Sequence, residues 1–150
     1  MNLLRMTRPV YDAIRAHGEE TYPQECCGAL LGRAEGNGWR VEAAVRAANT
    51  RNDSPNNSYE IASAELVGIE RDARARGLSI AGFYHSHPDH PAEWSPTDFA
   101  EAHWLGCFYV ITTVAEGKAG VTNAFLLAGA TEEDKRFERG PVELVETTRT

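Results

Sequence analysis

No stretch of the sequence approaches the roughly 18 consecutive apolar residues of a membrane-spanning helix. The segment from Met1 to His17 is also too polar for a signal-peptide core, so the expected location is the cytoplasm. Cysteine is scarce: Cys26 and Cys27 are adjacent, Cys107 stands alone, and no CxxC spacing occurs. An odd set of this kind makes a poor disulfide framework, and reduced thiols are expected. Lysine and arginine never form a run. Without clustered positive charge, nonspecific binding to nucleic acid or to an anionic membrane falls outside the expected functions. Repeats, linkers and low-complexity segments are lacking as well, which leaves one domain over residues 1–150 as the expectation.

A chain of 150 residues is close to the commonest domain size. It can bury about 70% of the surface its unfolded form exposes, so it needs neither disulfide nor metal merely to fold. Any metal site would therefore have a functional reason. Apolar residues make up 42% and charged residues 25%, well away from the composition of disorder. Against 22 acidic residues stand 15 basic ones, a net charge of −7. An acidic surface suits a basic protein partner, and it equally serves solubility alone.

Spacing predicts a helix from about Pro9 to Thr21, with Thr7 as its cap, Pro9 in the first turn, and Val10, Ile14 and His17 on one face. The apolar run Cys26 to Leu31 and the segment Val41 to Val45 flank a polar tip at Gly36-Asn37-Gly38 and read as a β-hairpin. Asn49 to Ser58 has the Asn, Asp, Ser and Pro content of a loop. A second helix is predicted from about Ser63 to Arg76, with Leu66, Ile69 and Ala73 at helical spacing and Gly77 as its stop. Leu78 to Tyr84 reads as a buried strand leading to His85-Ser86-His87-Pro88, and the prolines of Pro88 to Trp94 impose a loop. Ser95-Pro96-Thr97-Asp98 opens a short helix to about Trp104. Phe108 to Val114 and Val121 to Leu127 are strands around a turn at Glu116-Gly117, and one further strand falls near Val142 to Val145 in the charged tail. Helices and strands mixed without regular βαβ alternation make an α/β domain, a mixed β-sheet flanked by helices.

The chemistry gathers after the central strand. His85 and His87 are two apart at a strand end, so their imidazoles point to one face and Ser86 to the other. The loop and helix start that follow could deliver Asp98 to the same point. Two His and one carboxylate leave a fourth position open for water around tetrahedral Zn2+, which separates a catalytic zinc from a structural one. Water bound there has its pKa lowered to about 7, which points to a hydrolase. The same residues admit plainer roles. A His-x-His pair can be a satisfied polar strand edge, and in a capping box the Asp98 carboxylate serves only the helix N-terminus. Glu25, ahead of the Cys26 strand, is placed either to carry a proton from water to a leaving amine or to sit exposed in the turn after Pro23. Ser95 is either a donor to the oxygen that gains charge during attack, worth about 10²–10³ in rate, or a helix cap worth about 1 kcal/mol. His90 reads as a loop residue and His103 as helix surface or core, neither as a ligand.

Taken together, Glu25, His85-Ser86-His87, then seven intervening residues, Ser95, two more and Asp98 resemble the signature of the JAMM (MPN+) metallopeptidase family. Glu25-Cys26-Cys27-Gly28, the Asn-rich loop before Tyr59, Gly82-Phe83-Tyr84-His85-Ser86-His87-Pro88 and Val110-Ile111 extend the likeness to its compact bacterial members, over a catalytic core of roughly Pro23 to Leu127. The resemblance implies a cytidine-deaminase-like JAMM/MPN fold, zinc held by His85, His87 and Asp98, water activated by Glu25, and Ser95 helping to hold the tetrahedral intermediate. It implies cleavage of the peptide or isopeptide bond after the C-terminal Gly-Gly of ubiquitin or a ubiquitin-like protein, as in deubiquitinases. Compact bacterial members are similar to processing peptidases for sulfur-carrier proteins, including those that release cysteine from the carrier in cysteine biosynthesis. The long insertions with which eukaryotic relatives grip a ubiquitin chain have no obvious room here, so chain-linkage specificity is not expected. The alternative is a non-catalytic MPN-type protein-binding module, although members of that metal-free branch lack these residues.

A Gly-Gly terminus fits a groove too narrow for side chains, where its extended backbone can pair with an exposed strand edge and present the scissile carbonyl. Asn49 to Ser58 and Pro88 to Trp94 are the candidate segments. Two other enzyme classes are disfavoured. A zinc nucleobase deaminase needs His-x-Glu and Pro-Cys-x-x-Cys, whereas here His87 follows His85-Ser86 and no CxxC exists. A cysteine hydrolase would need Cys26, Cys27 or Cys107 as nucleophile, yet cysteines in or beside apolar strands are more often inert.

Overall fold

The computed structural model describes residues 2–51 and 58–147. The chain opens with strand β1 (Leu4–Thr7), only 4 residues long and too short to announce itself by pattern, which runs directly into helix α1 (Arg8–Thr21). Thr7 takes the N-cap position with an extended backbone, but its hydroxyl makes no cap bond. Proline in the first turn, where a missing N–H costs no hydrogen bond, marks the start instead. Val10, Ile14 and His17 face the interior as their spacing requires, with Gly18 beside them. The hairpin strands β2 (Cys27–Glu35) and β3 (Gly38–Ala47) are longer than their apolar centres and pair down to Glu35 against Gly38, with Gly36 at φ +60° in the turn. Of the loop predicted over Asn49 to Ser58, residues 52–57 lie outside the described residues.

Helix α2 (Ser63–Ala75) ends at Arg76, where Gly77 turns the chain out in the left-handed conformation. Strand β4 (Ser79–Pro88) runs past Tyr84 and through both histidines. Helix α3 (Pro96–Ala100) stops well short of Trp104, whose N–H goes to the Tyr109 hydroxyl at 3.1 Å and not to a helical carbonyl. Strands β5 (Phe108–Ala115) and β6 (Lys118–Ala128) surround Glu116-Gly117, both residues at the positive φ that a tight hairpin turn demands. The tail holds two strands, β7 (Arg136–Gly140) and β8 (Val142–Val145). Arg136, Glu138 and Arg139 leave β7 without the apolar alternation that would have revealed it.

The strand order is β7-β6-β5-β4-β2-β3-β1-β8, with β4–β5, β1–β3 and β1–β8 parallel and the other pairs antiparallel. Only Pro141 separates β7 from β8 in sequence, yet they stand at opposite ends of this order, so the sheet curls until its edges meet. Asn2, just ahead of β1, donates through Nδ2 to Glu138 Oε1 of β7 at 2.9 Å, across the closure. Alternation along β2 sends Leu30 into a core with Ile14 of α1, and Ala29 and Leu31 into another with Ile69 of α2. The expected α/β fold, a mixed sheet flanked by helices, is the fold observed. β4 lies between β2 and β5, and Gly82 makes that possible, because a Cβ there would sit 2.0 Å from the Phe108 carbonyl oxygen. No helix among the described residues is long and apolar enough to cross a membrane.

Candidate metal centre

Because β4 continues through His85, Ser86 and His87, strand alternation holds across the triplet. Ser86 turns inward, where its Oγ accepts the Cys26 N–H at 2.8 Å. Both imidazoles turn to the opposite face, with ring centroids 5.0 Å apart. Past Pro88 the loop folds back, so that the Pro91 carbonyl lies 2.7 Å from His87 Nδ1. A carbonyl can only accept, so that nitrogen carries a proton, and Nε2 is the atom His87 has to offer a ligand. The His85 ring stacks on Tyr59 at 4.5 Å between centroids. Its buried Nδ1 has no hydrogen-bond partner among the described residues.

Asp98 arrives from the first turn of α3. Ser95 caps that helix: its Oγ accepts the Asp98 N–H at 3.0 Å, and the Ser95 N–H donates to Asp98 Oδ2 at 2.9 Å. The capping box aims the carboxylate at the histidines. Asp98 Oδ1 is 3.3 Å from His85 Nε2, Asp98 Oδ2 is 3.1 Å from His87 Nε2, and the two Nε2 atoms are 3.2 Å apart. Ligand atoms bound tetrahedrally at Zn–N and Zn–O distances of about 2.0–2.1 Å stand about 3.3–3.4 Å from one another. The two Nε2 atoms match that spacing, each faces one Asp98 oxygen, and one ligand atom from each residue lies within 4.8 Å of the others, an arrangement able to close on a zinc-sized ion.

Electrostatics support the same reading. Burial works against a charge on Asp98, but hydrogen bonds from His85 and His87 outweigh it and hold the carboxyl well below the usual range. Burial pushes His85 down, toward the neutral form that a metal ligand needs. On His87 burial is outweighed by Asp98 and the Pro91 carbonyl, and the shift is upward.

Glu25 is 2% exposed, which removes the exposed-turn alternative. Its Oε1 has no hydrogen-bond partner among the described residues, while its backbone carbonyl accepts from Asn49 Nδ2 at 3.3 Å. Burial pushes the carboxyl up to about 8, with Asp98 adding to the rise and His87 and Arg51 opposing it. A buried acid with an unpartnered oxygen, electrically coupled to two members of the cluster, is a candidate functional group. Sequence reasoning missed Tyr59, Arg51 and the bond made by Ser86. Only the last had a local signal, the alternation that sends Ser86 away from its neighbours.

The other candidates stay apart. His90 is exposed, and exposed His103 pairs with Glu132 at 3.1 Å. Cys26, Cys27 and Cys107 are free and buried, and burial pushes their thiols up to about 11, 12 and 11. So little thiolate leaves the cysteine-hydrolase alternative without a nucleophile. Beside the cluster opens a cavity of about 290 Å3, walled by Tyr59, Ile61, Leu66, Phe83, Trp104 and Tyr109.

A family model for prokaryotic homologs of the JAB domain matches residues 7–128. The chain is 33% identical over 112 residues to a desampylase of Haloferax volcanii, covering 72% of this chain and 78% of that protein. It is 34% identical over 125 residues to a probable TtuB-protein conjugate cleaving protease of Thermus thermophilus, covering 83% and 76%. Among solved structures, a protein of Desulfitobacterium hafniense superposes with a TM-score of 0.77 at 26% identity, over 95% of this chain and 94% of its own. A protein of Salinibacter ruber superposes with a TM-score of 0.71 at 37% identity, over 94% and 91%.

Proposed function

The chain belongs to the family of prokaryotic homologs of the JAB domain, and from that premise we propose that it is a zinc-dependent peptidase or isopeptidase. Its substrate is a ubiquitin-like, sulfur-carrier type of protein, cut after the C-terminal Gly-Gly, with release of cysteine from such a carrier as one reaction of the class. The names of the relatives, a desampylase and a probable conjugate cleaving protease, support hydrolysis of protein conjugates. The observation that carries the reading is the convergence of His85, His87 and Asp98, one ligand atom from each lying within 4.8 Å of the others, beside a buried carboxyl with an unpartnered oxygen.

His85 Nε2, His87 Nε2 and the Asp98 carboxylate would hold Zn2+. When bound, the ion supplies Lewis acidity and a water whose pKa is near 7. Glu25 takes the proton of the attacking water on its free Oε1 and returns it to the leaving nitrogen as the C–N bond breaks. Burial raises this carboxyl above its usual range and with it its affinity for the proton it is to carry. Ser95 uses its lone pair to accept the Asp98 N–H, so its own O–H remains to donate to the carbonyl oxygen that gains charge. Glycines suit a narrow approach to the cluster, and the cavity beside Tyr59, walled by aromatic side chains and by Glu60, Glu101 and His103, has room for a side chain further up the substrate tail.

The test is to incubate the protein with carriers extended beyond Gly-Gly and to weigh the products. Cleavage is expected after the second glycine, abolished by a chelator and restored by Zn2+. Glu25→Gln should keep zinc and lose about 10²–10⁴ in rate. Cleavage that survives chelation, or full activity in Glu25→Gln, overturns the assignment. Stoichiometric zinc with no cleavage of any extended carrier would favour the binding module.

A further inference from the structure

Asp98 is carried by a helix of only 5 residues, far too short to hold its own shape. The capping box fixes one end of α3. At the other end the Phe99 carbonyl accepts the Ala102 N–H at 3.2 Å, the helix supplies no further N–H for the carbonyls that follow, and a side chain from the tail gathers all of them. Lys135 Nζ donates to the Phe99 carbonyl at 3.0 Å and the Ala102 carbonyl at 2.9 Å, with the Ala100 carbonyl at 3.5 Å. It lies 4.9 Å from the centroid of the Phe99 ring. It also pairs with Glu132 Oε2 at 2.5 Å, and the other Glu132 oxygen meets His103 Nδ1 at 3.1 Å. The Lys135 side chain is only 6% exposed. Lysine is seldom buried without full pairing, and its usual habit is to push the ammonium out to water. Here the ammonium turns inward and its donors are spent on one helix end and one carboxylate.

We propose that Lys135 is a positioning residue for the metal centre: by tying the carbonyls at the end of α3 to the tail, it fixes the helix that presents Asp98 to His85 and His87. Cation and helix end also match in charge, since the C-terminal carbonyls form the negative pole. Lys135 lies beyond the segment matched by the family model, residues 7–128. The tail that closes the sheet therefore also braces the metal site. This inference rests on His85, His87 and Asp98 being a zinc site, and its test separates the two.

The experiment measures Zn2+ affinity of the full chain by competition with a chromophoric chelator, alongside thermal denaturation of the metal-free protein. Lys135→Met keeps the stem and removes the charge and donors. It is expected to weaken zinc binding by about 10–100-fold, the usual effect of removing an outer support of a metal ligand. Lys135→Arg, which restores charge and donors, should recover most of that loss. Leu4→Ala supplies the control: Leu4 is fully buried in the other core cluster, so the variant should melt earlier yet bind zinc as wild type does. Equal affinity in Lys135→Met and wild type overturns the proposal, as does an equal loss in Leu4→Ala. Should Lys135→Met fail to fold, Glu132→Gln, which removes the counter-charge alone, takes its place, and an unchanged affinity there overturns it. A wild-type chain that binds no zinc overturns the metal-site reading itself.

Discussion

Replacing Ser86 by alanine tests how firmly the start of β2, next to the candidate base, is fastened to the strand that carries the candidate ligands. Ser86 is 1% exposed and makes two bonds to Cys26: its Oγ accepts the Cys26 N–H at 2.8 Å, and its own N–H donates to the Cys26 carbonyl at 3.2 Å. Alanine keeps the second bond and removes the first, leaving a buried N–H without an acceptor. The space freed is one oxygen atom, too small for a replacement water. Gly18 of α1 closes it from above, since a Cβ there would lie 3.4 Å from the Ser86 Cβ. A buried donor left unpaired costs about 1–3 kcal/mol. With a urea slope of about 1–3 kcal/mol/M, the unfolding midpoint should drop by about 1 M. The slack appears next to Glu25, while the imidazoles stand on the other face of β4. Turnover of an extended carrier should therefore fall several-fold, with zinc affinity changed less than about threefold. Urea titration, chelator competition and a cleavage assay read the three quantities. A midpoint unchanged within error would refute the argument for the orphaned N–H. A loss of zinc affinity larger than the loss of turnover would refute the separation of the two faces.

Burial, then the charge of Arg46, pushes His17 down to about 4, so as pH falls the unfolded chain takes up its proton first. Stability complete above pH 6.5 is then lost down to about pH 4. The whole shift is ~3 kcal/mol, which solvent screening beside the exposed Arg46–Glu20 pair reduces to ~1–2 kcal/mol. His17→Gln should flatten that part of the curve, and superimposable urea stabilities of the two proteins at pH 7 and pH 4.5 would contradict it. Gly82→Ala should cost at least ~2–3 kcal/mol or yield no soluble protein, because the new Cβ meets a backbone oxygen that cannot yield; a melting temperature within a degree or two of wild type would show that β4 and β5 can separate. Asp98→Asn should leave the circular dichroism of the fold unchanged while metal analysis falls from roughly one zinc per chain toward none. Full zinc content in that variant would remove Asp98 from the ligand set.

The pairing of the imidazoles was legible because it needs only the two-residue period of a strand, and β4 happens to run to Pro88. The burial of Glu25 was not. Glu25 follows Pro23 among turn residues, and nothing local distinguishes a carboxylate that will be enclosed from one that will be solvated. Enclosure comes from the pairing of Cys27 with His85, and from Asn49 reaching back to the Glu25 carbonyl. Tyr59 and Lys135 were equally invisible, since each owes its role to a contact across the fold. β7 escaped for a different reason: it closes the sheet with Phe137 inward and charges elsewhere, which in sequence is the composition of a tail.

Sequence alone set cap against ligand at Ser95 and Asp98 as competing explanations, and the structure makes them one arrangement. Asp98 Oδ2 accepts the Ser95 N–H at 2.9 Å while facing His87, and Oδ1 faces His85. An ionised carboxylate has about four acceptor positions, so the cap occupies one and leaves the remainder directed at the histidines. Having already fixed the Asp98 rotamer, the cap leaves less side-chain freedom to be lost when an ion is bound. The same reasoning explains why aspartate and not glutamate stands three residues after Ser95. Glutamate completes a capping box equally well, but its extra methylene would carry the carboxylate past the point where one oxygen reaches each imidazole.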